Sequence, residues 1–146
     1  HALENNLTIE YKKITAEEIA AERPGQYDVV TCLEMLEHVP DPAAIVQACA
    51  DLCKPGGHLY FATINRNPKS YLFAILGAEH ILRLLPKGTH DYEKLIKPSE
   101  LYRWIRESNL VLNDSTGMTY NPLSKKYKLH PTNLDVNYLL HATKPA

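Results

Sequence analysis

Tyr27-Asp28-Val29-Val30-Thr31-Cys32-Leu33 is an apolar, strand-like run, and Glu34-Met35-Leu36-Glu37-His38-Val39 follows it at once. Consecutive Val29 and Val30 predict a central strand buried on both faces. In an open α/β sheet, ligands bind just beyond the carboxyl ends of the strands, which is where Glu34, Glu37 and His38 fall. Spacings of three and four place the three side chains on one face if the chain turns helical there. Two carboxylates and an imidazole so grouped suit a hard divalent cation, or a base set beside a substrate hydroxyl.

Reading outward toward the C-terminus, Asp41-Pro42 is a strong helix start, with an N-cap carboxylate followed by proline in the first helical position. Ile45, Cys49, Leu52 and Cys53 form one apolar stripe at helical spacing. Lys54-Pro55-Gly56-Gly57 ends that helix, and His58 to Ile64 is the next strand. Strand, helix and strand make a right-handed βαβ unit with parallel strands. Pro98-Ser99 opens another helix, with Leu101, Trp104 and Ile105 inward and Asn109 near its end. Leu110 to Thr116 and Asp135 to Thr143 are expected to be the last two strands, joined by a turn-rich stretch beginning at Asn121-Pro122. Toward the N-terminus, alternation predicts a half-buried strand over Leu7–Lys12. Ala16 to Glu22 reads as a short helix closed by Pro24-Gly25.

The 146 residues suit one domain. With 16 Lys and Arg against 17 Asp and Glu, there is no basic stripe that a nucleic-acid partner would need. Cys32, Cys49 and Cys53 read as reduced thiols. Cys49 and Cys53, one helical turn apart, read as small buried apolar side chains, because no C-x-x-C spacing is present to suggest zinc or redox chemistry. No apolar run reaches the ~20 residues of a spanning helix. The opening His1-Ala2-Leu3-Glu4-Asn5-Asn6 reads as the tail of a helix without a preceding methionine, which points to a fragment.

Between the βαβ unit and the Ser99 helix lies an apolar helical insertion at about 68–97. In Tyr71–Leu85 only Glu79, His80 and Arg83 are strongly polar, and they cluster on a helical wheel. Two readings stand: a helix or lid covering the protein's own core or site, and an interfacial helix over about 70–85 that dips into a membrane. In the second, Lys69, Arg83, Lys87, Lys94 and Lys97 meet anionic headgroups.

The order strand, Asp28-Val29-Val30, helix, Leu52-Cys53-Lys54-Pro55-Gly56-Gly57, strand resembles class I S-adenosylmethionine-dependent methyltransferases. Gly25 to Cys32, Glu34 to Pro42, Pro86-Lys87-Gly88-Thr89-His90-Asp91 and Asp135-Val136-Asn137-Tyr138 sharpen this. Together, in register over essentially the whole chain, they resemble the bacterial ubiquinone-biosynthesis O-methyltransferases. The resemblance implies a Rossmann-like α/β fold: the C-terminal portion (1–146) of a single domain, its mostly parallel sheet covered by helices on both faces. It implies S-adenosylmethionine as donor and a polyprenylated catechol or quinol as acceptor. It also implies a cytoplasmic protein peripheral on the inner membrane face (the matrix side in a mitochondrion), with other ubiquinone-biosynthesis enzymes as partners.

A phenol titrates near ~10, so a site working at neutral pH must lower that value or supply a base. A metal ion, Mg²⁺ by resemblance, held by Glu34, Glu37 and His38 would do so as a Lewis acid. The metal-free alternative makes His38 or His90 the base, with Glu37 orienting the imidazole. In a third reading the glutamates are solvated and His38 caps a helix. The family pattern places adenine near Ile14, Thr15 and Leu33, with Cys32 close by. The family's glycine-rich loop and ribose-binding acid belong to two βα units absent from this sequence. The chain alone is therefore expected not to bind donor or transfer methyl groups, and its Leu7 and Asp28 strands are expected not to be neighbours. Two alternatives stay open: a non-catalytic fragment that binds lipid or a partner through Tyr71–Leu85, and a related methyltransferase for another small acceptor.

Overall fold

Asp41 accepts a hydrogen bond from the Ala44 N–H at 3.1 Å, with Pro42 in the first position, so the central helix begins where its capping residues dictate. Asp41→Ala is expected to cost about 1 kcal/mol in a urea unfolding curve. The computed structural model describes residues 4–5, 7–72, 91–121 and 124–146. Its elements are α1 (Ala16–Glu22), β1 (Tyr27–Leu33), a 3₁₀ turn at Leu36–His38, α2 (Pro42–Leu52) and β2 (Cys53–Ile64). There follow a single helical turn, α3 (Pro68–Ser70), a 3₁₀ turn at Tyr92–Lys94, α4 (Pro98–Glu107), β3 (Val111–Asn121), β4 (Lys126–His130) and β5 (Asn137–Thr143).

The sheet order is β1-β2-β5-β3-β4. The β1–α2–β2 unit is parallel as expected, but the other three pairings, β2 with β5, β5 with β3 and β3 with β4, are antiparallel. The expectation of a mostly parallel sheet is corrected accordingly. Only the pair joined through α2 has a crossover helix between its strands, and β4 folds back on β3 as a hairpin. That hairpin was not read from the sequence, where Lys126-Tyr127-Lys128-Leu129-His130 lies in the turn-rich connection. Tyr127 and Tyr120 meet across it, their rings tilted at 41° with centroids 4.9 Å apart.

The core lies between one face of the sheet and helices α2 and α4. Cys32, Leu59, Phe61, Tyr138 and Leu140 meet Ile45, Val46, Cys49, Leu101 and Ile105, all nearly inaccessible. Alanines 20 and 48 let α1 lie close along α2. All three cysteines are free and buried, in keeping with the apolar reading. None of α1, α2 or α4 packs on the opposite face, where Val29, Leu33 and Tyr60 are 52%, 53% and 38% exposed. Helices on both faces and a β1 buried on both faces are thus not what the described residues show. Among the described residues β1 has one strand neighbour, β2, with Val30 inward and Val29 outward.

Residues 7–15 are exposed or half-exposed and form no strand. A strand needs a partner for its backbone N–H and C=O groups, and Leu7–Lys12 does not pair with β1. Ion pairs hold the segment instead: Arg23 grips both oxygens of Glu10 at 2.8 and 2.9 Å, and Lys12 meets Glu22 at 3.1 Å.

Lys54–Gly57 belongs to β2 as a long bulge. Cys53 pairs with Tyr27 and His58 with Val29, so four residues bow out opposite Asp28. Lys54 bonds Asp28 at 2.8 Å beside the bulge. From the far end of the chain Lys144 reaches back to the carbonyls of Ala50 and Cys53, at 2.8 and 3.0 Å. It places a cation at the negative end of α2.

Candidate active site

The backbone turns sharply where β1 ends. Glu34 has φ +51°, a left-handed conformation uncommon outside glycine and asparagine, and its N–H is held by the Ala62 carbonyl of β2 at 2.9 Å. Leu36–His38 then forms a 3₁₀ turn that tucks Leu36 into the core and carries Glu37 with it. Glu37 is 2% exposed. Its Oε2 accepts the hydroxyl of Thr63, on β2, at 2.8 Å. Its Oε1 is buried and has no hydrogen-bond partner among the described residues. A buried carboxylate oxygen left unpartnered is costly and marks a place where a ligand atom is wanted.

Glu34 stays exposed as a residue. Partial burial, and then the charge of Glu37, push its carboxyl from the ordinary 4.5 up to about 7. Because the folded value is the higher, the native state holds an extra proton between those values. Its contribution to stability is complete below about pH 4.5 and is lost as the pH rises through 7. Glu34→Gln is expected to flatten the fall of the thermal midpoint over that window, measured by scanning calorimetry across pH. A slope identical to the wild type's would refute the assignment.

The end of β2 is tied down on the same side of the sheet. Asn65 donates to the Leu134 carbonyl at 2.9 Å, and Asn67 donates to the Asp135 carbonyl at 2.6 Å. Lys69 pairs with the Asp135 carboxylate, and Arg66 pairs with Glu100 while donating to the Glu93 carbonyl at 3.0 Å. Neither this clamp nor Thr63 was singled out from the sequence. The signal for Thr63 was its place as the one hydroxyl among the inward positions Leu59, Phe61 and Thr63.

The expected residues are placed as follows. Glu34 and Glu37 are electrostatic neighbours, but only Glu37 is buried, so the reading of two solvated glutamates is corrected. His38 is exposed at the end of the turn, and Asp41, not His38, caps α2. Glu37 gives one oxygen to the Thr63 hydroxyl, and its other oxygen has no hydrogen-bond partner among the described residues. Among the described residues no three His, Cys, Asp or Glu side chains converge as a metal ion requires. No step is derived through a metal ion. Leu33 presents an apolar surface at the carboxyl end of β1. Thr15 N-caps α1: its N–H and hydroxyl both lie 3.0 Å from Glu18, so it offers a ligand no free donor. Ile14, half-buried, precedes it. His90, and most of the segment at about 70–85, lie outside the described residues. A groove of about 690 Å³ between α1 and α2, lined by Ala20, Ala44 and Ala48, includes no residue of the acidic turn.

A β1–α2–β2 unit with acidic residues at its carboxyl end, continued by antiparallel strands, defines the Rossmann-like fold of the S-adenosylmethionine-dependent methyltransferases. One such enzyme, from Thermotoga maritima, superposes with a TM-score of 0.61 over 84% of this chain and 58% of that chain, at 13% identity, a likeness of fold alone. The chain belongs to the methyltransferase domain family, whose model matches residues 4–114. Two curated relatives are much nearer in sequence. The ubiquinone biosynthesis O-methyltransferase of Saccharophagus degradans is 60% identical over 144 residues, and that of Acinetobacter baumannii strain AYE is 62% identical over 145. Each match covers 99% of this chain and 61% of the relative, so the chain spans less than two thirds of their length.

Proposed function

We propose that this chain supplies the acceptor side of an S-adenosylmethionine-dependent O-methyltransferase acting on catechol-type hydroxyls of polyprenylated ubiquinone precursors. The substrate class rests on the names of the relatives that match along nearly its whole length. One observation carries the chemistry: Glu37 is buried at the carboxyl end of β1 with Oε2 held by Thr63 and Oε1 unbonded. S-adenosylmethionine, when bound, supplies a methyl group on a sulfonium centre for displacement by the acceptor oxygen. Glu37 Oε1 accepts the hydrogen bond of the reacting hydroxyl and so orients it and holds its proton. Glu34, at the solvent edge of the same turn, passes that proton outward, and His38 is the second candidate base. Leu33 offers the adenine an apolar surface, with Ile14 beyond the cap of α1.

The membrane reading of the insertion belongs to the same proposal. Tyr71 and Leu72, where the described part of that segment ends, are 42% and 55% exposed beside Lys69. A greasy prenyl tail is best met at a lipid surface, on the cytoplasmic face of the inner membrane and near the enzymes of the same pathway. Leu72→Glu is expected to weaken co-sedimentation with anionic vesicles at unchanged thermal stability, and retained binding would remove this part. The central test is the protein as purified from its cells, incubated with S-adenosylmethionine and either a prenylated or a water-soluble catechol. Mass spectrometry is expected to show methylation of the prenylated acceptor at the greater kcat/KM. Transfer to neither acceptor would overturn the proposal.

A further inference from the structure

Thr63 is fully buried on β2, where the inward positions before it are Leu59 and Phe61. A hydroxyl in such a place is expensive unless bonded, and its partner is the Glu37 carboxylate at 2.8 Å. The two residues differ in how firmly they are held. Thr63 sits in the sheet interior, paired with Tyr138 of β5, whose own hydroxyl is fixed on the Ile96 carbonyl at 2.9 Å. On the other side of β2 the neighbouring Ala62 is bonded to the Glu34 N–H. Glu37 rides on a turn of three residues. A polar pair kept only for stability would satisfy both carboxylate oxygens, or be replaced by apolar groups of the same volume. Here one oxygen is occupied and one is left over, which is the arrangement that aims a carboxylate.

Resting on the functional reading above, we infer that Thr63 is a positioning residue. Its hydroxyl fixes the rotation of the Glu37 carboxylate so that Oε1 alone is offered to the acceptor hydroxyl. Thr63→Val keeps the volume and removes the donor, whereas Thr63→Ser keeps the donor and removes a methyl group. In the purified natural protein, Thr63→Val is expected to lower kcat for a prenylated catechol by roughly 10–100-fold. The KM for S-adenosylmethionine should be unchanged, and Thr63→Ser should recover most of the rate. A merely structural hydroxyl would lower the thermal midpoint and leave kcat per folded molecule alone. If Thr63→Val does not fold, Thr63→Cys takes its place with an intermediate loss of kcat expected. A kcat within twofold of wild type in the folded Val or Cys variant, or a Ser variant as slow as Val, overturns the assignment while the methyltransferase reading stands. A wild type that methylates no catechol overturns that reading first, and this one with it.

Discussion

Glu37→Gln is expected to lower methyl transfer by about 100-fold or more, the scale of a lost acid–base group, while leaving the protein at least as stable as before. The two effects have opposite signs for one reason. Glu37 is buried with Oε1 unbonded, so in the absence of substrate its carboxylate weighs against the folded state. The amide keeps an oxygen for the Thr63 hydroxyl and removes a buried charge, so stability should be unchanged or about 1 kcal/mol higher. The amide has no basicity with which to take the proton of the acceptor hydroxyl. Steady-state kinetics with a prenylated catechol, beside guanidinium unfolding of the same preparation, tests both halves. A fall in stability with turnover per folded molecule preserved would make Glu37 a structural residue and end its chemical role.

Gly117→Ala is expected to produce the largest loss of stability, about 3 kcal/mol or more, out of a total that for domains of this size is usually ~5–15 kcal/mol. Gly117 lies on β3 between Tyr138 of β5 and His130 of β4. A Cβ built on it would stand 1.6 Å from the Asn133 carbonyl oxygen and 2.7 Å from its carbon. Both are backbone atoms, so no rotamer change relieves the overlap. The segment that must move is tethered through Leu134 and Asp135 to Asn65, Asn67 and Lys69. Gly56→Ala is the control. Its φ of +76° disfavours a side chain, but nothing lies within 4 Å, so about 1 kcal/mol is expected. Equal unfolding midpoints for the two variants would contradict the close approach at Gly117.

The sequence displayed features whose cause is local. Asp41-Pro42, the spacing of Ile45 and Cys49, and the short helix over Ala16–Glu22 act within a few residues, and the structure has them at those places. What depended on distant chain was hidden. Leu7–Lys12 alternates like a strand, yet a strand exists only if another chain segment takes its hydrogen bonds. Val29 and Val30 look alike in sequence, but they point to opposite faces of β1 and the described helices pack on one of those faces, so one is covered and the other faces outward. In the candidate site the residue types were legible, and their environments were not. Glu34 and Glu37 are two carboxylates three positions apart. Only the tight turn after Leu33, and a threonine 26 positions later, make one of them a rim residue and the other a buried one.

Among the described residues β5 lies in the middle of the sheet, between β2 and β3, and is what joins them. Until it is inserted, the β1–α2–β2 unit and the β3–β4 hairpin share no strand pairing. A chain made only through His130 therefore has α4 to pack on α2 but no strand to join β2 to β3. Closure of the sheet must wait until β5 has been made, as pairing between distant positions requires. A translation product stopped short of Asn137 should be recognised by cellular proteases as unfolded, however complete its acidic turn.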